Sequence, residues 1–187
     1  MESLDWITQR VSSPRLSGEV PAEILTLLET AAARAPDHAQ LKPFRSLVIS
    51  GDGLTCLGDL FALALATRQP DASAAEIEKI KRKPLRAPVI IVGIASPVEH
   101  AKVPDIEQLL SAGIALQNMS QAMFTLGYGA MWRTGAMAYD ETVKSGLGLL
   151  DNEHIIGFLY LGEIDGKLKS VQPAVSGSLM QRWPENQ

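Results

Sequence analysis

Apolar residues recur along the chain at helical spacing in some stretches and as short unbroken runs in others. Ile24, Leu27, Leu28, Ala31, Ala32 and Ala35 follow the i, i+3, i+4, i+7 rule of a helix face. Pro21 suits the first turn of that helix. Pro36 disfavours helical dihedrals at the residue before it, so the helix should stop near Arg34. A short helix is expected over residues 4–10, a longer one over 54–68 and a charged, exposed one over 74–83. The most apolar helix should run over 104–126, where Ile106, Leu109, Leu110, Ile114, Leu116, Met119, Met123, Phe124 and Leu126 cover nearly every side. Such a helix belongs at the centre of a fold or of an oligomer. Gly127 suits a left-handed cap at its end.

Four segments read as strands: 44–49, 88–95, 128–133 and 155–161. The first closes on the turn Ser50-Gly51-Asp52-Gly53. The second, PVIIVGIA, is continuously apolar, as in a strand covered on both faces. Helices separate the strands, so few hairpins and a sheet layered with helices are expected. No repeat or linker divides the chain, which predicts a single domain over 1–187. From about residue 166 the tail alternates little and holds Pro173 and Pro184, consistent with an extended arm.

Composition narrows the classes of function. With 187 residues, 46% hydrophobic and 20% charged, the chain can bury a core. A net charge of −4 gives no broad positive field for a nucleic acid. Cys56 is the only cysteine, which excludes an internal disulfide and any CxxC pair. Its apolar setting, CLGDLFALAL, predicts an inert core thiol. The acidic start MESLDWITQR is no secretion signal and no apolar run is long enough to span a membrane, so a soluble cytoplasmic protein is expected.

The familiar catalytic signatures are missing. Gly127-Tyr128-Gly129 is followed by Trp132 where a third glycine would stand, and Gly146-Leu147-Gly148 by Asp151. There is no GxxxxGK[ST] loop, HExxH or GxSxG, and His38, His100 and His154 are scattered. An enzyme built this way would leave its chemistry to a bound cofactor.

Three segments could instead hold an anion. Arg10-Val11-Ser12-Ser13-Pro14-Arg15 offers guanidinium forks and hydroxyls suited to a phosphate monoester. Residues 34–45, RAPDHAQLKPFR, form a polar loop before a strand. Gly127-Tyr128-Gly129-Ala130-Met131-Trp132-Arg133-Thr134-Gly135 sets a ring, a cation and a hydroxyl at a strand end. Alone, each also reads as ordinary surface or core.

In combination and order they resemble the nitroreductase family. The resemblance rests on Arg10-x-Ser12, on Arg34-Ala35-Pro36-Asp37-His38 with Lys42-Pro43-Phe44, on Leu126 through Gly135, and on Ile156-Gly157-Phe158-Leu159-Tyr160-Leu161-Gly162. The chain is most similar to the small bacterial NAD(P)H nitroreductases with RAPDH and WR[ST]G signatures, over nearly its whole length. That implies an α+β, FMN-dependent nitroreductase-like fold with a central, mostly antiparallel sheet flanked by helices. It also implies a homodimer with flavin at the subunit interface.

By the same resemblance Arg10, Val11 and Ser12 would hold the phosphate and ribityl end of FMN. Arg34 and His38 would reach the flavin from the partner subunit, and Trp132, Arg133 and Thr134 would line it. A nicotinamide-nucleotide stretch would fall on Ala122, Met123, Phe124, Thr125, Leu126 and Gly127. Arg82 or Lys83 would lie near the flavin N1–O2 edge. NAD(P)H would deliver hydride to flavin N5, and a nitroaromatic, quinone or enone would then take it in a ping-pong cycle. No side chain acts as nucleophile in such a scheme.

Two departures stand out. Val11 occupies a position where relatives carry a second arginine, and Lys42-Pro43-Phe44 replaces Gln-Pro-Trp. Lys42 could restore the lost cation if it faces the site. The same departures motivate one alternative, a non-catalytic dimer with a decayed cofactor site; another is a flavin-binding redox sensor without fast turnover.

Overall fold

The computed structural model describes residues 4–171, 179, 180 and 183. The helices are α1 (Asp5–Thr8), α2 (Ala22–Ala32), α3 (Asp52–Arg68), α4 (Ala74–Lys81), α5 (Asp105–Thr125) and α6 (Glu141–Gly146). The strands are β1 (Leu16–Ser17), β2 (Phe44–Ser50), β3 (Val89–Ala95), β4 (Gly129–Arg133) and β5 (His154–Ile164). Capping sets several boundaries. Ser73 and Glu76 close a reciprocal capping box on α4. Gly127, at φ +81°, ends α5 as expected: its N–H donates to Phe124 O and that of Tyr128 to Met123 O, the paired bonds of a Schellman motif. The arm expected from residue 166 carries no regular structure to residue 171. Pro173 and Pro184 lie outside the described residues.

All strand pairs are antiparallel. The long β5 carries β3 along one edge, with β2 beyond it, and β4 and the short β1 along the other. β3 is buried at all seven positions, as its unbroken apolar run predicts. Alternation along it divides the interior in two. Ile90, Val92 and Ile94 point into a core shared with Leu57, Phe61 and Ala64 of α3 and Phe158 and Tyr160 of β5. Val89 and Ile91 point into a second core with Leu28 of α2, Leu116, Met119 and Met123 of α5, and Leu159 and Leu161. The sheet is therefore covered by α3 and α4 on one side and by α2 and α5 on the other.

Two expectations change at this level. Cys56 is exposed, not buried. The stripe of α3 that meets the core is Leu54, Leu57, Gly58, Phe61, Ala64 and Leu65, and Cys56 falls on the opposite side of the turn. On α5 the buried stripe includes Gln108, Ser111 and Ser120, whereas Ile106 and Leu110 are each 60% exposed and Ile114 40%. One apolar face of this central helix is thus left uncovered within the chain. Among the described residues no helix is long and apolar enough to cross a membrane.

Candidate functional site

The segment after α1 is pinned against β4 by the Ser13 N–H, which donates to Ala130 O at 3.0 Å. Gly129 makes this possible, since a Cβ there would run into Leu16 and Ser13. Held in this way, Arg10, Val11 and Ser12 line a cavity of about 360 Å³ together with Met131 and Lys169. Lys169 was not anticipated from sequence. It lies more than 150 residues from Arg10 along the chain, and only the return of the arm past β5 brings them together.

Met131 also lines the next cavity, of about 480 Å³, with Lys83, Arg86, Arg68, Trp132, Arg133, Thr134 and Tyr160. Its floor comes from Phe61, Ile80 and Phe158 of the first core. Trp132 is half-buried and donates its indole N–H to Ile156 O at 3.1 Å. The ring has room because Gly157 lacks the Cβ that would collide with it. Arg133 sits over the Tyr160 ring, its guanidinium carbon 5.5 Å from the centroid. The Arg133 Nε is buried with no hydrogen-bond partner among the described residues.

This second cavity is strongly cationic. None of its lining residues is an Asp or Glu. Burial, then the charges of Arg86, Lys79, Arg133 and Arg68, hold the Lys83 ammonium below its ordinary range. Burial pushes the Tyr160 phenol up, against the opposing effect of Arg133 and Arg86. Of the two cations proposed for this edge, Lys83 is the one that lines the cavity. Arg82 is exposed and paired with Glu78 at 2.5 Å.

Arg34 lies elsewhere. It lines a third cavity of about 610 Å³ with Glu29, Asp37, Lys42, Phe44 and Arg45, floored by Ala115 and Met119 of the second core. The loop is tied together by Asp37, whose carboxylate accepts from Leu41 N at 3.1 Å and Lys42 N at 2.7 Å. Ala39, Gln40 and Lys42 take positive φ values of 63°, 56° and 52°. Such strain in residues other than glycine persists only where the surroundings impose it. His38 is fixed by a 2.8 Å contact from Nδ1 to Glu107 of α5.

Within one chain, then, Arg34 and His38 share no described cavity with Arg10 or Arg133; they belong to the opposite layer of the sheet. Lys42 lines the Arg34 cavity and, within one chain, does not share the cavity of Val11. Residues 122–127 line none of these cavities. Met123 is fully buried, Phe124 packs edge-on against Trp6, and the N–H groups of Leu126 and Gly127 are used within the helix end.

Residues 16–163 match the model of the nitroreductase family. Over 163 residues, 87% of this chain and 88% of the other, the sequence is 36% identical to "Putative NAD(P)H nitroreductase YdjA" of Escherichia coli K12. The chain belongs to the nitroreductase family. Solved nitroreductases share its fold. A nitroreductase-like family protein from Bacillus cereus superposes with a TM-score of 0.84 at 20% identity, over 97% of this chain and 95% of the other. A nitroreductase with bound FMN from Bacteroides fragilis does so with a TM-score of 0.75 at 19% identity, over 97% and 99%. The antiparallel sheet flanked by helices is thus the nitroreductase fold, as the sequence motifs imply.

Proposed function

We infer that this nitroreductase is an FMN-dependent oxidoreductase that takes reducing equivalents from NAD(P)H and passes them to a small electron-poor acceptor. The observation that carries this reading is the pair of adjoining cavities joined at Met131. One offers Arg10, Ser12 and Lys169; the other offers Lys83 and Arg133 without a carboxylate. A phosphate monoester suits the first, where a guanidinium fork, a hydroxyl and an ammonium converge. Lys169 stands in for the cation that Val11 lacks. A planar ring system with an electron-rich edge suits the second. A buried donor without a partner is costly, so the unpaired Arg133 Nε favours an acceptor atom arriving there. The FMN-bound relative and the NAD(P)H in the names of curated relatives support the same choice.

When bound, FMN would supply the hydride chemistry for which this chain has no side-chain nucleophile. The protein's own residues would position and polarise. Lys83 and Arg133 hold positive charge where the flavin edge gains electron density, in a site already organised before reaction. Trp132 keeps its place through Ile156 O and the open face of Gly157. Arg34 and His38 would complete the site from a partner subunit, in line with their separation from Arg10 within one chain. The uncovered face of α5 suits that partner: Ile106, Leu110 and Ile114 recur at i, i+4 and i+8. A nitroaromatic, a quinone or an enone would serve as acceptor.

The test is FMN titration of two variants. Arg10→Ala should weaken binding by about tenfold or more, the loss of one charge-assisted hydrogen bond of about 1.5–3 kcal/mol. Arg15→Ala, exposed and outside the described cavities, should change it little. Riboflavin, which lacks the phosphate, should bind both variants alike. Equal FMN affinities for the two would contradict the phosphate assignment.

A further inference from the structure

The cavity beside Trp132 holds more positive charge than the flavin reading uses. Lys83 and Arg133 are half-buried within it, and Arg86 and Arg68 are exposed at its mouth. Arg86 has no carboxylate or hydrogen-bond partner among the described residues. Its place is fixed by a single helical turn over Pro84–Arg86, in which Pro84 is buried and the Leu85 N–H donates to Arg82 O at 3.2 Å. Buried Ala87 then leads straight into β3. Arg68 ends α3 and donates from Nη1 to Asp140 at 2.9 Å, while Asp140 also caps α6 through the Thr142 N–H at 3.0 Å. Its remaining N–H groups are left for a ligand.

We propose that Arg86, with Arg68 beside it, forms an acceptor subsite selective for electron-poor molecules that carry a carboxylate. This rests on the flavin reading above, which leaves both arginines without a task. Lys83, Arg86 and Arg133 around one opening, with no acidic residue lining it and, among the described residues, only Arg68 paired to a carboxylate, Asp140, favour an anion over a neutral molecule of the same shape. The neighbouring cavity, of about 450 Å³, shares Arg68 and Ala136. The two carboxylates lining it, Asp140 and Glu141, are already paired, with Arg68 and with Lys144 at 3.1 Å. Burial first, and then the neighbouring charges of Arg86, Lys79, Arg133 and Arg68, weaken the hold of Lys83 on its proton; a bound anion would offset the charge part. A planar guanidinium fork at Arg86 matches a carboxylate, and its exposure leaves the group accessible from solvent.

The experiment uses the oxidised FMN-loaded protein without reductant. Binding of 4-nitrobenzoate and of its neutral counterpart 4-nitrobenzamide is read from the perturbed visible spectrum of the flavin. Nitrobenzoate should bind about tenfold more tightly at low salt, an advantage that shrinks in high salt. Arg86→Gln should bring the two ligands to within about twofold by weakening nitrobenzoate alone, with FMN content unchanged, and Arg86→Lys should restore part of the preference. Equal affinities for the two ligands, or an equal loss of both in Arg86→Gln, would overturn the proposal and leave the flavin reading intact. A preference for NADP+ over NAD+ that vanishes in Arg86→Gln, with no preference between the nitro compounds, would assign Arg86 to the reductant and overturn it too. A protein that takes up no FMN would overturn both readings.

Discussion

Glu153 illustrates how much one side chain can hold in this molecule. It is 2% exposed and receives Arg45 through two bonds of 2.6 and 2.5 Å, Ser96 at 2.6 Å and the Leu150 N–H at 2.9 Å. These donors, Arg45 first, bring its carboxyl down to about 2 from 4.5, against the cost of burial. Because the folded value lies below the unfolded one, the stabilisation is complete above about 4.5 and fades as pH falls toward 2. Glu153→Gln should therefore cost about 2 kcal/mol at neutral pH, less than a fully buried pair because Arg45 is 37% exposed. Urea unfolding of both proteins should show the gap narrowing below pH 4.5; a gap independent of pH would contradict the assignment. Arg10, Ser12, Trp132, Arg133 and Thr134 were legible because local patterns hold them together. Lys83 was named only through the resemblance, and Arg86 beside Trp132 and Lys169 beside Arg10 line their cavities through the fold, so no local pattern marks them. Cys56 was misjudged because apolar neighbours in a helix do not say which side of the turn faces the core.

At the scale of elements, sequence periodicity gave the four principal strands and the longer helices because each follows one burial pattern. The unbroken apolar run of β3 and the Gly127 cap of α5 are direct examples. The loop after α2 was not legible in detail. Ala39, Gln40 and Lys42 have no preference for positive φ, and the Asp37 carboxylate that imposes it acts over four and five residues. The fit of β4 against β5 depends on Gly157, whose missing Cβ leaves space for Trp132. Gly157→Ala should force the indole aside, with an overpacking cost of about 1–3 kcal/mol. Thermal unfolding would report the loss, and the Trp132 indole N–H resonance should shift as its bond to Ile156 breaks. An unchanged resonance and melting temperature would show that the strand pair yields without moving the ring.

For the whole molecule, the two cores place the arginine-bearing segments on opposite layers of the sheet. On the proposed reading one chain would present two partial sites, and a second chain would make each whole. The uncovered stripe of Ile106, Leu110 and Ile114 on α5 is the surface on which that pairing would rest. Leu110→Lys should shift sedimentation from dimer to monomer and reduce FMN retention with it. A monomer that keeps its full flavin content would separate the site from the interface. As proposed, the molecule is a working flavin reductase, and not a flavin-binding sensor or a dimer with a decayed site. Anaerobic visible spectroscopy of the FMN-loaded protein, before and after addition of NADH or NADPH, separates these. The flavin bands should bleach rapidly with at least one reductant and return when a nitroaromatic or quinone is added. Bands that persist with both reductants, or that never form after FMN is supplied, would contradict the reductase reading.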